Sequence, residues 1–395
     1  MATQRKYRYK PVIVVAAYNR PQPLLRLLNS LVRARYPEPV KLIISVDRNL
    51  ENDEIFQLAT HFAWQHGEKE VIYREERMGL RDHILTCGDL TLEYESIILL
   101  EDDLMVAPSF YEYALEAVNY YADDDQIEGI ALYSIEVNMF ARYLPFRPIN
   151  DGADVFFSQF PCSWGQVWTK DRWVKFRDWY LKGQGVSTED LFPSDISEWP
   201  ATSWLKYYIK YAVEHNYFFV YPRISLSTNF GEYGVHFQKQ IDTYQVPTLV
   251  GRKDFRFIPL EESLSVYDTY FEILPDRLNR LVPEFRNYDY IVNLYGRKNP
   301  ADFEEKYVLS RTPSNEPIFS FGMKMRPILL NVINRLEGNS VIFSHKDQLM
   351  AKVTLRKLLL QAFEYNYSHL PLRPLLVLLR ARMKERKPFS LLFRS

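Results

Sequence analysis

The stretch SIILLEDDLMVAPSFYEY, residues 96–113, passes directly from an apolar run into three consecutive acidic residues. Ile97–Leu100 has the continuous apolar character of a strand that is buried on both faces. Glu101, Asp102 and Asp103 follow at once, with no basic residue near them in the sequence. Adjacent buried carboxylates repel one another and are costly to desolvate. The pattern therefore predicts either a solvated loop or a cation that the sequence does not encode.

Strand and helix patterns alternate on both sides of this stretch. Further apolar runs predict strands at Val12–Ala17, Lys41–Asp47, Val71–Tyr73 and Ile130–Tyr133. The segments between them carry apolar residues at helical spacing, such as Leu24, Leu28 and Leu31. Because each strand is a continuous apolar run, we predict an α/β fold with a mainly parallel sheet flanked by helices. Ligands of such sheets bind beyond the carboxyl ends of the strands, where Asn19, Asp47 and the three acids would meet.

The composition is that of an ordinary globular protein. The chain has 395 residues, of which 47% are hydrophobic and 25% charged, and its formal net charge is −1. This balance gives no reason to expect a nucleic-acid partner. Cys87 and Cys162 are too few for a disulfide framework and suit a reducing compartment. No apolar run reaches the roughly 18 residues of a membrane span, and the one before Tyr18 is too short for a signal peptide, so we expect a cytoplasmic protein.

Oxygen ligands grouped at a strand end suit a hard divalent cation such as Mg²⁺ or Mn²⁺. One direct carboxylate ligand is typical of such a site, and Asp103, the furthest of the three acids from the strand, is the best placed to supply it. The alternative is a loop at the start of a helix, where acids lie near the positive helix end. Asp47 at the same end of the sheet favours the ligand site, because a nucleotide base or ribose needs an acceptor there.

Four segments together resemble the nucleotide-sugar half of a glycosyltransferase of the GT-A fold. They are VIVVAAYNRPQPLLRLLNSL (12–31), ISVD (44–47), ERMGLRDHI (76–84) and IILLEDDLMVAPSFYEY (97–113). EDDLMVAPSFYEY is similar to the metal motif of the Golgi N-acetylglucosaminyltransferases that initiate complex N-glycans, and YPRISLSTNFGEYGVHF (221–237) is similar to another segment of that family. The opening strand with YNRP resembles the bacterial family-two glycosyltransferases. The resemblance covers roughly residues 10–240.

This resemblance implies a nucleotide-sugar site at the carboxyl end of the sheet. Asp47 would contact the uracil or ribose. Glu101 and Asp102 would hold the ribose or metal-bound water, and Asp103 would bind the Mn²⁺ or Mg²⁺. The other residues that the resemblance places beside the nucleotide or its diphosphate are Ala17, Tyr18, Arg20, Gly79, Arg81 and His236. The last two have simpler alternatives, a surface helix arginine and a structural or exposed histidine.

The segment FPCSWGQVWTKDRW, residues 160–173, is suited to sugar binding. Sugars stack their C–H faces on aromatic rings, while their hydroxyl groups need polar partners. Trp164 and Gly165 suit a loop under the donor or acceptor sugar, whereas Trp168 could serve either the sugar or the core. Helical spacing predicts that the aromatic residues that follow are core residues: Trp173, Phe176 and Trp179.

An inverting transferase needs a carboxylate on the acceptor side to take the proton of the attacking hydroxyl group. Alignment on PRISLSTNFG places the eukaryotic family's acid near Thr202 or Ser203, and neither residue can act as a base unaided. Bacterial relatives place an acid beside a tryptophan slightly earlier, which favours Glu198 before Trp199. The other candidates are Asp195, as the reserve, Glu189 and Asp190. Each of these acids, like Glu198, could instead be a solvated loop acid.

We therefore predict a metal-dependent inverting glycosyltransferase. It would move a sugar from a nucleotide sugar, UDP-linked by the resemblance, to a hydroxyl group of a saccharide or lipid-linked saccharide in bacterial surface-polysaccharide biosynthesis. One alternative is a sugar-phosphate nucleotidyltransferase, whose glycine-rich loop after the first strand has no counterpart in AAYNRPQP. The other is a noncatalytic saccharide-binding or scaffold protein on a transferase fold, favoured by the missing acid at residues 202 and 203.

Changes in composition divide the chain into three regions. We predict a GT-A catalytic domain over 1–245, an accessory segment packing on it over 246–310, and a mostly helical C-terminal region over 311–395. The final stretch, LPLRPLLVLLRARMKERKPFSLLFRS (370–395), has seven Lys or Arg residues and one acid. It could lie on the anionic inner face of the cytoplasmic membrane, or form a helical cap with a solvated basic face.

Overall fold

The computed structural model describes most of the chain up to residue 350. The described residues are 7–49, 53–142, 144–183, 185–187, 190, 192–231, 242–350, 360, 363–366, 376, 377 and 380. Glu189 and His236, both predicted as candidate site residues, lie outside them, as does nearly all of the basic C-terminal stretch. Within the described residues, none of the helices has the length and apolar character needed to cross a membrane.

A large central sheet and a smaller second sheet contain most of the strands. The strands are β1 (Val12–Ala17), β2 (Leu42–Val46), β3 (Lys69–Tyr73), β4 (Ser96–Glu101), β5 (Leu104–Val106), β6 (Ile127–Ala131), β7 (Val137–Asn138), β8 (Leu144–Pro145), β9 (Val155–Ser158), β10 (Gln166–Thr169), β11 (Phe218–Pro222), β12 (Ser227–Asn229), β13 (Val266–Tyr267), β14 (Tyr290–Asn293), β15 (Tyr307–Ser310), β16 (Phe319–Phe321) and β17 (Val341–His345). The α-helices are α1 (Pro21–Val32), α2 (Asp53–His61), α3 (Leu80–Asp89), α4 (Thr91–Tyr94), α5 (Phe110–Tyr120), α6 (Lys170–Leu181), α7 (Leu205–Glu214), α8 (Pro275–Leu281) and α9 (Leu329–Ile333).

The central sheet has the strand order β13-β9-β11-β6-β10-β4-β1-β2-β3. Strands β4, β1, β2 and β3 are parallel neighbours, and β6 and β11 are also parallel. Strand β10 is antiparallel to both β4 and β6, so β4 and β6 run in the same direction and end on the same side of the sheet. The predicted α/β fold with a mainly parallel sheet is confirmed.

Helices cover both faces of the central sheet because alternate residues of each strand point to opposite faces. In β1, Ile13 and Val15 belong to one core, and Val14 and Ala16 to the other. Helices α1, α2 and α5 pack on the first face, and α3, α6 and α7 on the second. Helix α1 begins with Pro21, which is favoured in a first turn. Its buried leucines recur at helical spacing: Leu24, Leu27, Leu28 and Leu31.

Residues 290–345 form the second sheet, with strand order β14-β15-β17-β16. The structure thus corrects the prediction of a mostly helical region from residue 311, because β16 and β17 are strands and α9 is short. Prolines and glycines interrupt this segment and leave short apolar runs that suit strands better than helices. Beyond residue 350 the helical prediction falls almost wholly outside the described residues.

The chain between the two sheets is tied to both. Strand β13 pairs in parallel with β9, so residues predicted to belong to an accessory segment extend the central sheet. Tyr295, just after β14, donates through its hydroxyl group to the Pro145 carbonyl over 3.0 Å. Arg297 forms an ion pair with Asp195 in the loop before α7. The second sheet is therefore anchored to segments that leave the central sheet.

We expect Gly88→Ala to destabilise the fold. A methyl group at Gly88 in α3 would lie 2.0 Å from the Trp173 ring of α6. That ring is held by stacking on Trp168 at 4.5 Å and by a 2.8 Å hydrogen bond from its Nε1 to Asp89. Overpacking costs about 1–3 kcal/mol, which exceeds the ~1 kcal/mol by which alanine favours a helix over glycine. Urea denaturation should show the corresponding fall in the free energy of unfolding.

The control is Gly251→Ala, because no atom of the described residues lies within 4 Å of a methyl group added there. It should change the free energy of unfolding by no more than about 0.5 kcal/mol. Wild-type stability in both variants would contradict the close packing of α3 on α6.

Candidate functional site

The carboxyl ends of β1, β2 and β4 lie side by side. Ala16 pairs with Glu101 across β1 and β4, and Ala17 pairs with Val46 across β1 and β2. The N–H group of Asp47 then donates to the Ala17 carbonyl over 2.9 Å. The parallel register therefore brings together the segments that the sequence analysis expected to meet. We call this set the rim, and it consists of residues 17–20, 47 and 101–103.

Ala17 and Tyr18 lead the chain out of β1 at the rim. Ala17 is the last residue of the strand and is buried, whereas Tyr18 is partly exposed. The guanidinium group of Arg77 lies 5.4 Å from the centre of the Tyr18 ring, within the range of a cation–π contact. The Tyr18 ring therefore links the end of β1 to the loop before α3.

Arg20 is the cation among the three acids. Its guanidinium group forms an ion pair with Asp102 and donates through Nη1 to Asp103 Oδ2 over 3.1 Å. The side chains of Asp102 and Asp103 are only 4% and 9% exposed, so they are not in a solvated loop. The expectation of a solvated loop or an unencoded cation is therefore incomplete, because the chain itself supplies a cation 82 residues before Asp102.

One guanidinium group does not offset three carboxylates. Burial, together with repulsion by Asp103, raises the pKa of Glu101 to about 8 despite the positive charge of Arg20. Burial also raises the pKa of Asp102 to about 6, although Arg20 and the Tyr18 N–H group lower it. Asp103 Oδ1 is buried and has no hydrogen-bond partner among the described residues. The rim therefore holds acidic groups that a further cation would stabilise in their charged form.

The arrangement fits a divalent cation that is held largely by its substrate. Among the described residues, no three His, Cys, Asp or Glu side chains are grouped so that they could hold a metal ion together. Mg²⁺ is commonly bound by one or two carboxylates, with substrate phosphates and waters completing its octahedron. The unpartnered oxygen of Asp103 is suited to be the single direct protein ligand.

Asp47 fixes the loop that precedes α3. Its two carboxylate oxygens accept from the N–H groups of Met78 over 2.8 Å and Gly79 over 3.0 Å, and the residue is 3% exposed. Gly79 has φ 76°, a left-handed conformation that glycine adopts at no steric cost. The resemblance assigned Asp47 to the uracil or ribose, whereas the contacts found in the structure are with this loop.

A polar chain beside Asp47 was not predicted from the sequence. Ser45 Oγ contacts His83 Nε2 at 2.7 Å and accepts from Arg74 Nε at 3.1 Å. Ser45 is two residues before Asp47 in sequence, so both side chains point to the same face of the sheet. Burial lowers the pKa of His83 to about 4, so the histidine is neutral near pH 7. The available signal is Ser45 itself, the one polar residue within the apolar run LIISV.

Arg81 joins α3 to the loop before α7. Its Nη1 donates to the Ala201 carbonyl over 3.0 Å, and its Nε donates to Asp82 over 3.0 Å. Thr202 and Ser203, the positions of the eukaryotic acid, follow directly in this loop. Arg81 therefore connects the nucleotide side of the predicted site to the segment that carries the candidate bases.

The described acids proposed as catalytic base differ in their partners. Asp190 forms an ion pair with Lys210, and Asp195 forms one with Arg297. Glu198 is exposed and makes no hydrogen bond or ion pair with another described residue. Glu198 is thus the one of these three whose carboxylate has no cation beside it in the part of the chain that the structure describes.

The residue after Glu198 anchors it to the segment that follows β6. The ring of Trp199 stacks on Phe140 with centroids 6.4 Å apart, and the Trp199 carbonyl accepts from Lys206 Nζ over 3.0 Å. Phe140 lies in the segment after β6, and β6 ends on the same side of the sheet as β4. Glu198 is therefore tied to the chain that leaves β6.

Trp164 and Gly165 lie close to the end of β4. Gly165 has φ 98°, and a methyl group there would lie 3.3 Å from Leu100. The partly buried ring of Trp164 packs against Tyr133 and Tyr244, with centroids 4.6 Å from each. Gly165 thus lets the chain pass tightly against the strand that carries the acids.

Trp168 is a core residue. It is fully buried, stacks on the Trp173 ring and donates through Nε1 to Gln166 Oε1 over 2.7 Å. This placement rules out the sugar contact that the sequence left open for Trp168. The core placement predicted for the following aromatic residues is confirmed for Trp173, Phe176 and Trp179.

Comparisons with known proteins find a similarity in the first part of the chain. A family model described as glycosyl transferase family 2 matches residues 12–160. A search of curated proteins found no match.

Among solved structures, the chain is similar to S. aureus TarS residues 1–349 in complex with UDP-GlcNAc, at 13% identity and a TM-score of 0.39, over 57% of this chain and 60% of that one. It is also similar to the mannosyltransferase PcManGT from Pyrobaculum calidifontis in complex with GDP-Man and Mn²⁺, at 10% identity and a TM-score of 0.33, over 55% of this chain and 58% of that one. A third structure is a cytidylyltransferase from Leptospira borgpetersenii, at 15% identity and a TM-score of 0.28, over 43% of this chain and 65% of that one. The chain thus spans less than two thirds of each of these structures.

The family match runs from β1 to just beyond β9. It includes the strand ends that form the rim, with Arg20, Asp47 and the three acids after β4. Residues 12–160 thus resemble a glycosyl transferase family 2 domain, in agreement with the predicted α/β fold with its mainly parallel sheet.

Proposed function

We propose that this protein is a glycosyltransferase that moves a sugar from a UDP-linked donor to a hydroxyl group of a saccharide or lipid-linked saccharide. The transfer inverts the anomeric carbon and uses a divalent cation. The observation that carries the proposal is the group of three carboxylates at the end of β4, in which one buried Asp103 oxygen has no partner among the described residues. UDP is the nucleotide implied by the resemblance of the EDD segment.

Mn²⁺ or Mg²⁺, when bound, would offset the negative charge that grows on the departing nucleoside diphosphate. Asp103 would hold the ion through Oδ1, and Glu101 and Asp102 would hold the ribose or bound waters. Arg20 already pairs with Asp102 and Asp103. A guanidinium group binds phosphate with the same forked geometry that it offers a carboxylate. Arg20 is therefore placed to contact the diphosphate of the donor.

The donor would lie between the loop before α3 and the ends of β1 and β4. Asp47 supports this placement by fixing the Met78 and Gly79 N–H groups. Trp164 would stack on the sugar, with Gly165 allowing the close approach of the chain. The remaining residues proposed for the donor site are Ala17, Tyr18, Arg81 and His236.

Glu198 is the proposed catalytic base. It would take the proton of the acceptor hydroxyl group as that oxygen attacks the anomeric carbon and the bond to UDP breaks. Asp195 remains the reserve candidate, but its carboxylate is engaged in an ion pair with Arg297. Glu198 has no such cation beside it among the described residues.

The proposed pathway is bacterial surface-polysaccharide assembly on the inner face of the cytoplasmic membrane. The support is the basic stretch at 370–395, with seven Lys or Arg residues and one acid. Such a stretch is attracted to anionic lipids by about 1 kcal/mol per basic residue near the surface.

Asp103→Asn tests the metal role. The amide keeps the shape of the side chain and removes the charge that would bind the cation. We expect kcat to fall at least about a hundredfold, since a metal supplies several kcal/mol of charge stabilisation. Calorimetry should show that Mn²⁺ no longer strengthens UDP binding. The control Asp123→Asn changes a carboxylate that is 95% exposed and should behave like the wild type. Retained Mn²⁺-dependent UDP affinity in Asp103→Asn would reject the metal role.

Glu198→Gln tests the proposed base. The amide cannot accept the proton, so kcat should fall by roughly 10²–10⁴-fold while the affinity for the donor stays the same. Asp195→Asn is the matched variant and should keep most of the wild-type rate. If instead Glu198→Gln is active and Asp195→Asn is not, the base is Asp195.

Asp47→Asn tests the loop before α3. An amide offers one acceptor oxygen in place of two, so one of the N–H groups of Met78 and Gly79 loses its partner. A lost hydrogen bond of this kind costs about 1–3 kcal/mol. We expect the KM for the nucleotide sugar to rise roughly tenfold with little change in kcat. Steady-state kinetics measures the KM, again with Asp123→Asn as the control. An unchanged KM in Asp47→Asn would contradict this role.

A further inference from the structure

A cavity lies where the second sheet meets the segment that follows β6. Its walls come mainly from residues 144–147, 267–273 and 294–329, and its empty volume, including the part open to solvent, is about 700 Å³. None of the rim residues lines it. The cavity is therefore separate from the candidate nucleotide-sugar site.

One wall of the cavity is apolar. It includes the buried side chains of Leu144, Phe271, Leu294 and Leu329, each at most 7% exposed. Ligand pockets combine such a surface with a few polar groups that fix the orientation of the ligand. The apolar wall can therefore receive the organic part of a ligand.

Three arginines also line the cavity. Arg311 is 6% exposed, and its Nε donates to the Leu294 carbonyl over 2.6 Å. Arg326 Nε donates to the Tyr365 carbonyl over 3.1 Å. Arg147 is exposed and makes no hydrogen bond or ion pair with any described residue. Neither Arg147 nor Arg326 has a carboxylate partner in the described part of the chain.

Glu272, the acid that lines the cavity, does not balance these arginines. It is 2% exposed, and its Oε1 accepts from the Tyr295 N–H group over 2.6 Å. Burial raises the pKa of Glu272 to about 8, although the charges of Lys298 and Arg311 lower it. A carboxyl group with this pKa is mostly protonated near pH 7. The cavity therefore carries an excess of positive charge at neutral pH.

We propose that this cavity binds a phosphate ester, with the phosphate on Arg147, Arg311 and Arg326 and the organic part on the apolar wall. Guanidinium groups bind phosphate through strong, often forked hydrogen bonds. The apolar wall favours an ester over inorganic phosphate. The proposal does not depend on the catalytic residues proposed above.

Two sources supply this chemistry, a lipid phosphate and a sugar phosphate. Farnesyl phosphate and glucose 1-phosphate represent them, and each is titrated separately into the full-length protein by isothermal calorimetry. At least one of these two esters should bind, and the ester that binds identifies the source of the ligand. Inorganic phosphate should bind at least about tenfold more weakly, since burying even two or three CH₂ groups accounts for that factor. Equal affinity for inorganic phosphate would overturn the role of the apolar wall.

Arg147→Ala and Arg326→Gln should each raise the Kd of the bound ester at least about tenfold. Both side chains are exposed, and Arg147 has no described partner to lose, so the variants should keep the wild-type fold. Lys324→Ala removes an exposed cation that does not line the cavity, and it should leave the Kd unchanged. Failure of both esters to bind, or equal affinity in the wild type and both arginine variants, would overturn the proposal.

Discussion

The pairing of Arg20 with the two aspartates after β4 is the interaction on which the rim depends. Glu101, Asp102 and Asp103 leave a strand that is buried on both faces, so their side chains cannot simply turn into solvent. Without Arg20, these carboxylates would lose the ion pair that compensates their burial, which is costly in a protein interior. Arg20 reaches them because β1 and β4 are parallel neighbours that end at the same level. The direction of the strands thus makes the chemistry of the site possible.

The same constraint explains the rest of the arrangement. Strand β10 runs antiparallel between β4 and β6, which leaves the ends of those two strands on one side of the sheet. The chain after β6 carries Phe140, which holds Trp199 and with it the exposed Glu198. Arg297, between β14 and β15, pairs with Asp195 in the same loop. The segments proposed to bind donor and acceptor thus follow strands whose ends lie on one side of the sheet.

The sequence predicted the parts that depend on local pattern. Continuous apolar runs located the strands, and the acids at their ends located the rim, because strand direction follows from an alternation of strands and helices. The partner of the acids was not predictable in this way, since the spacing between Arg20 and Asp102 says nothing about their contact. The hydrogen-bonded group of Ser45, Arg74 and His83 was not predicted for the same reason, because its members come from separate elements.

Other differences arise where the pattern is ambiguous. Trp168 stands in a loop-like run of aromatic residues, yet it packs in the core, because aromatic side chains serve cores and sugar sites equally well. The second sheet was not predicted because its strands are only three to five residues long and are separated by segments that contain proline and glycine.

The pairing of β13 with β9 has a practical consequence for work with fragments of this protein. A fragment that stops at residue 245, where the composition changes, would lack Val266 and Tyr267 and would leave the backbone of β9 unpaired on one side. Unpaired strands of this kind template association with other chains and lead to aggregation. A shorter form that remains folded and monodisperse must therefore extend past β13.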